Sequence, residues 1–125
     1  MGKRMSVRAG IVEATADLND SASAQALWQA LPITGVAQTW GDEIYFSIPL
    51  ELEPEAPQAV VAVGDLGYWP PDSAFCIFFG PTPASRGNEV RPASPVNLLG
   101  RVSGDASVFK RVKPGAEVLL QKLEA

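Results

Sequence analysis

A chain of 125 residues with a formal net charge of −4 can bury about two thirds of the surface its unfolded form exposes, so a single domain over 1–125 with one self-sufficient core is expected. Hydrophobic residues at 46% and charged residues at 19% exclude an intrinsically disordered chain. The absence of histidine and the presence of one cysteine exclude an internal disulfide, a conventional serine triad and a clustered zinc site.

Alternation places Met5, Val7, Ala9 and Ile11 on one side of an opening strand, and Glu13 to Leu18 follow as its partner. Asn19-Asp20-Ser21 ends this pair and caps a helix over about residues 21–31, in which Ala24, Leu27, Trp28 and Leu31 fall at i, i+3, i+4 and i+7. Pro32 and Gly35 stop it. Trp28 on that stripe is expected to be a core anchor or a plug over an open barrel end.

From Val36 the pattern is that of strands. Val36 to Trp40, a Gly41-Asp42 turn and Glu43 to Ile48 predict a hairpin, with Ile44, Phe46 and Ile48 alternating against Glu43, Tyr45 and Ser47. The acidic, proline-punctuated stretch 51–57 predicts an exposed loop. Strands are then expected over Ala59 to Val63, Leu66 to Trp69 and Ala74 to Phe79. The last, rich in Phe, Ile and Cys and bounded by proline turns, reads as buried on both faces, with Phe75, Ile77 and Phe79 on one side and Cys76 and Phe78 on the other.

Residues 80–95 hold four prolines and two arginines without periodicity, and a loop this long is the first place to look for a site. Val96 to Val102 resumes a strand, Ala106 to Val112 reads as a short strand or one helical turn, Pro114-Gly115 as a turn, and Glu117 to Leu123 as a closing strand. About eight short strands and one helix favour a mainly β, closed barrel over an open sheet, because closure removes exposed edges.

The succession Trp40-Gly41-Asp42-Glu43-Ile44-Tyr45-Phe46, Gly64-Asp65-Leu66-Gly67-Tyr68-Trp69-Pro70, Phe75-Cys76-Ile77-Phe78-Phe79-Gly80-Pro81-Thr82-Pro83 and Val96-Asn97-Leu98-Leu99-Gly100-Arg101-Val102 resembles a family of small prokaryotic proteins of uncharacterised function with a cyclophilin-like fold. The resemblance covers nearly the whole chain and implies an eight-stranded barrel closed by a helix. A thinner similarity to the true cyclophilins, the peptidyl-prolyl isomerases, lies in Ser73-Ala74-Phe75-Cys76-Ile77 and Gly100-Arg101-Val102. In that comparison Ala74 stands where the isomerases have a substrate-binding glutamine, Cys76 where they have a pocket phenylalanine and Val96 about where they have histidine. Their catalytic arginine has no counterpart. Isomerisation faces a barrier of about 20 kcal/mol and needs a donor aimed at the prolyl group, so the resemblance implies apolar slot material without that donor.

No catalytic residue, metal or cofactor is assigned. The candidate ligand-binding residues are Tyr45, Trp69, Phe79, Arg86, Arg91 and Asn97, a mixture of rings and a few polar groups of the kind that lines small-molecule sites. Tyr45 and Trp69 are expected to be the more exposed, Tyr45 from the polar side of its strand and Trp69 from its place beside Pro70-Pro71. Cys76 is expected to pack as a small hydrophobe, and Asp42, Asp65 and Asp105, each after a glycine, to serve turns.

Charge is uneven along the chain: ten acids and no base lie between Ala9 and Ser85, and seven bases face four acids from Arg86 onward. The plain reading is that the two segments pair in the fold; the sharper one gives Arg86 and Arg91 an anionic group. An acidic chain without a basic stripe does not suit nucleic acid. No stretch approaches the roughly 18 apolar residues of a membrane span, and Lys3, Arg4 and Arg8 precede no secretory apolar run, so a cytoplasmic protein without a membrane partner is expected. The leading functional reading is a non-catalytic module for a small molecule or a proline-containing peptide. A divergent isomerase and a homodimer formed through the face of Tyr45 and Trp69 are the alternatives.

Overall fold

The computed structural model describes residues 3–123. An opening hairpin pairs β1 (Lys3–Ala9) with β2 (Val12–Leu18), turning at Gly10 with its φ of 58°. Ser21 then caps α1 (Ala22–Ala30), its hydroxyl accepting the Ala24 amide at 3.0 Å. Helix α1 buries Ala24 and Leu27 against the barrel, while Trp28 is half-buried with Lys122 Nζ 5.2 Å from its ring. The expected cap and apolar stripe are both present.

The remaining strands are β3 (Ile33–Val36), β4 (Gln38–Thr39), β5 (Glu43–Ser47), β6 (Asp65–Trp69), β7 (Ala74–Phe78), β8 (Asn97–Val102) and β9 (Glu117–Lys122). Their order in the sheet is β3-β9-β1-β2-β8-β6-β7-β5-β4, and every neighbouring pair is antiparallel. The two ends of that order, β3 and β4, are separated by Ala37 alone. Ala37 still belongs to the β9 side, exchanging 2.8 Å bonds with Ala116 and Gly115, after which Gln38 and Thr39 cross to β5. One extended stretch therefore joins both margins of the sheet and nearly closes the barrel. This stretch counts as two strands because it is broken at Ala37, and the sheet has nine strands against about eight expected.

One expectation about an element is corrected and one pair of alternatives is decided in favour of the helical turn. Ala59 to Val63 is not a strand: only isolated bridges from Gln58 to Val96 and from Val61 to Val90 tie it down, and Ala59, Val60, Ala62 and Val63 face solvent. Ala106–Arg111 is a 3₁₀ helix, started by Asp105, which accepts the Ser107 amide. Among the described residues no helix is long and apolar enough to cross a membrane.

Strand alternation divides the apolar residues into two clusters. Met5, Val7, Ile44, Phe46, Leu66, Tyr68, Phe75, Ile77, Leu99 and Leu120 fill the barrel. Ala74, Cys76 and Phe78 point the other way, where Val61, Val90 and Val96 from the long loops cover them. All five residues of β7 are buried, as its composition predicts.

The long loops are fastened by buried polar groups. Asn97, fully buried, accepts the Glu55 amide at 2.8 Å and donates to the Glu53 carbonyl at 2.9 Å and to Ser23 Oγ at 3.0 Å. The Glu55 carboxylate then accepts the Ala22 and Ser23 amides and the Ser23 hydroxyl, an anion on the first turn of α1 where the helix dipole favours one. Those bonds hold its pKa below the ordinary carboxylate value. Tyr68 Oη donates to the Leu50 carbonyl and accepts the Leu52 amide. In the second loop Thr82, Ser85 and Arg91 form a knot, in which Ser85 Oγ accepts the Thr82 and Arg91 amides and the Thr82 hydroxyl donates to the Arg91 carbonyl.

Candidate functional site

On strand β5 the side chains of Ile44 and Phe46 enter the barrel, so Glu43 and Tyr45 are directed to its outer face. Register sets Tyr45 opposite Cys76 and Trp69 opposite Ala74, on either side of β7. Over this outer face lies a cavity of about 360 Å³. Trp40, Tyr45 and Trp69 supply aromatic walls, Gln38, Glu43 and Asp72 the polar groups, and Pro92 and Ala93 of the second loop the remaining rim.

Each wall has an identifiable support. Trp40 opens the Gly41-Asp42 turn, its amide bonded to the Glu43 carbonyl at 3.0 Å. The indole of Trp69 donates to Ser94 Oγ at 2.7 Å, which ties the ring to the loop that carries Pro92 and Ala93. Asp72 follows Pro70 and Pro71 in a 3₁₀ turn and accepts a 3.4 Å bond from Ser47 Oγ.

Glu43 is the unusual member. It is 6% exposed and lines the cavity, and among the described residues the Cys76 thiol is the one group that bonds its carboxyl. That thiol also lies 3.8 Å from the Ala74 carbonyl, so it is a weak partner. Burial pushes the Glu43 pKa up to about 7, against a smaller lowering by that thiol. Cys76 itself, wholly buried beside a carboxyl, is held well above the ordinary thiol value and stays protonated.

The sequence-derived candidates separate. Tyr45 and Trp69 come together in this cavity, both half-buried. Phe79 lies in the barrel core with its ring 6.2 Å from that of Phe109. Asn97 is committed to the loop fastening described above. Arg91 is paired with Glu89 within its own loop, and Arg86 is exposed, its amide bonded to Glu89 Oε2 at 3.2 Å. Only Pro92 and Ala93 of the arginine-bearing loop line the cavity.

Acid and base segments do pair in part: Arg101 meets Asp65 at 3.4 Å and Lys110 meets Asp42 at 3.8 Å, whereas Arg4 and Arg8 pair locally with Asp17 and Glu13.

Gln38, Trp40, Glu43 and Asp72 were not singled out from the sequence. Glu43 had a legible signal: as the first polar residue of an alternating strand it shares a face with Tyr45. What alternation could not convey is that loop residues would cover that face.

A second depression, of about 490 Å³, follows the β2–β8 seam at Asp17, Asn19, Asp65 and Arg101. Its polar groups are already engaged, Asp17 with Arg4, Asp65 with Arg101 and Asn19 with the Leu98 carbonyl.

The cyclophilin-like family model matches residues 3–121. The solution structure of the hypothetical protein AF2241 from Archaeoglobus fulgidus is similar, with a TM-score of 0.82, 36% sequence identity and coverage of 98% of this chain and 95% of that one. No curated protein matches the chain. A family match over nearly the full length, with a nearly closed barrel whose margins meet at Ala37, establishes that the chain belongs to the cyclophilin-like family.

Proposed function

We propose that the protein is a binding module that takes a small molecule into the cavity on the outer face of β5 and β7, without catalysing a reaction on it. The observation that carries this reading is the concave, mainly aromatic surface of Trp40, Tyr45 and Trp69 with polar groups left open in it. Among the described residues, the side chains of Gln38, Trp40 and Tyr45 make no hydrogen bond to the protein, and the Glu43 carboxyl has only the weak Cys76 thiol. Apolar walls with a few convergent, unengaged polar groups are the usual make-up of a ligand site, and about 360 Å³ lies within its usual size.

Burial weighs against the isomerase reading. Ala74, Cys76 and Val96, which the similarity to the peptidyl-prolyl isomerases aligns with substrate contacts, are at most 1% exposed beneath Val61 and Val90. Among the described residues no arginine or lysine lines the cavity, so the cationic donor that such a reaction uses has no equivalent among them.

A thermal-shift screen of metabolites and short proline peptides tests the proposal. Ligands of the cavity are expected to raise the melting temperature with concentration and to lose that effect in Trp69→Ala. Stabilising ligands indifferent to Trp69→Ala and Tyr45→Ala, or no stabilising ligand at all, would overturn it. Acceleration of prolyl isomerisation by the protein would replace the module with the enzyme.

A further inference from the structure

We propose that the cavity accepts a small organic cation, an alkylated ammonium group, seated between the rings of Trp40, Tyr45 and Trp69 and against the carboxylates of Glu43 and Asp72. The inference rests on the reading of this cavity as a ligand site and narrows its ligand to one charge and one shape.

The charge follows from what lines the cavity. Among the described residues two acids and three aromatic rings face it and no base does. The bases of the neighbouring segments are engaged elsewhere, Lys110 with Asp42 and Arg91 with Glu89. An anion entering here would meet two carboxylates and the negative faces of three rings. A cation meets the same groups with the opposite sign.

Glu43 supplies the second, independent argument. Its side chain is 6% exposed and lines the cavity, and among the described residues its one partner is the weakly donating Cys76 thiol. A largely buried carboxyl with so weak a partner is costly to the fold, and a well-packed apolar residue would avoid that cost. Its counter-charge is therefore expected from outside the chain. Burial, against a smaller lowering by the Cys76 thiol, raises its pKa to about 7; at pH 8 the group is mostly ionised, and a bound cation holds it so. The other titratable groups around it are the Cys76 thiol of β7, Tyr45 of its own strand and Asp72 beyond Trp69, none of which is a cation.

The shape follows from the walls. Ring faces attract a diffuse positive charge with methyl or methylene groups around it, and such a head sheds its water more readily than a bare ammonium. With about 360 Å³ available, the cavity accommodates a trimethylammonium head and a short attached chain.

The test titrates the intrinsic fluorescence of the full chain at pH 8 and low salt with benzyltrimethylammonium, benzyl alcohol and benzoate, and with the Nα-acetyl amide of trimethyllysine. The two ammonium probes are expected to saturate the signal, with benzyl alcohol about tenfold weaker and benzoate silent. A preference for the free ammonium or for the side-chain form identifies the source of the cation, and either supports the proposal. Glu43→Gln is expected to weaken the ammonium probes about tenfold while leaving benzyl alcohol unchanged. Its melting temperature at pH 8 should be no lower than that of the parent, which separates lost binding from lost folding. Asp72→Asn, at an exposed position, should weaken the same probes by a smaller factor.

Equal binding of cation and alcohol, binding of benzoate, or indifference to Glu43→Gln would overturn the inference. Should neutral or anionic compounds from the screen bind in a Trp69-dependent way while both ammonium probes fail, the cation is wrong and the binding module stands. Should no compound of any charge bind, both fall.

Discussion

The ring of Phe46 passes directly over the backbone of Gly35, so closely that a Cβ on residue 35 would lie 2.3 Å from a ring carbon. Gly35 belongs to β3, at one end of the strand order, and Phe46 to β5, next to β4 at the other, and this contact packs the seam where the barrel nearly closes. The ring is 2% exposed and also meets Phe75 at 5.5 Å between centroids, so it has little freedom to move aside. Gly35→Ala is expected to destabilise the protein by about 1–3 kcal/mol in urea unfolding. In a Phe46→Leu background the same substitution should cost less, since the overlap is with the ring. Equal costs in both backgrounds would show that the seam is not packed this way.

Glu43 gives stability a pH dependence of definite sign. Its carboxyl titrates near the ordinary 4.5 when unfolded and near about 7 in the fold. Between those values the folded chain binds more protons than the unfolded one, so stability falls as pH rises from about 4.5 to about 7 and levels off above. With some solvent reaching the carboxyl through the cavity mouth, the expected change is about 2 kcal/mol. Glu55, Glu89 and Asp105, whose pKa values are lowered, act with the opposite sign at lower pH, so the quantity to measure is the difference between the parent and Glu43→Gln. A difference that does not vary across this window would contradict the burial of the Glu43 carboxyl.

Asn97 joins three elements that are distant in sequence: β8, the loop carrying Glu53 and Glu55, and the first turn of α1. Asn97→Ala leaves the Glu55 amide and the Glu53 carbonyl without partners, and a cost of about 1–3 kcal/mol is expected. Hydrogen exchange should quicken at Glu55 and at the start of α1 while β1 and β2 keep their protection. Acceleration spread evenly over the barrel would refute a local fastening.

Tyr68 is 1% exposed and spends its hydroxyl on Leu50 and Leu52. Tyr68→Phe preserves the packing and removes both bonds, so a loss of about 1–2 kcal/mol is expected. The loop over 50–57 should become the segment most readily cut by protease. Unchanged stability would mean that water replaces the hydroxyl at no cost.

Much of the barrel was legible along the chain. The pairing of β1 with β2, the Ser21 cap, the stripe of Ala24 and Leu27, the hairpin of β4 and β5 and the two-sided burial of β7 each follow from spacing and turn chemistry within a few residues. Ala59 to Val63 misled because a run of alanine and valine satisfies the composition of a strand; whether it finds a ladder partner depends on loops tens of residues away. The packing of Phe79 and Asn97 was not legible for the same reason. A phenylalanine at the end of a strand and an asparagine at the start of another have the residue types of a ligand site, and only their neighbours, Phe109 in one case and Ser23 with Glu53 in the other, assign them to the core and to a loop clamp.

The sequence alone determined the class of the fold, a mainly β barrel with one capped helix, because period-two alternation, glycine and proline turns and helix caps are local signals. Tertiary structure decided where a ligand could sit. The cavity is assembled from β4, β5, β6, the turn after β6 and the loop at Pro92, and its distinguishing feature, a largely buried carboxyl in its wall, exists only once residues far apart in the chain have come together around it.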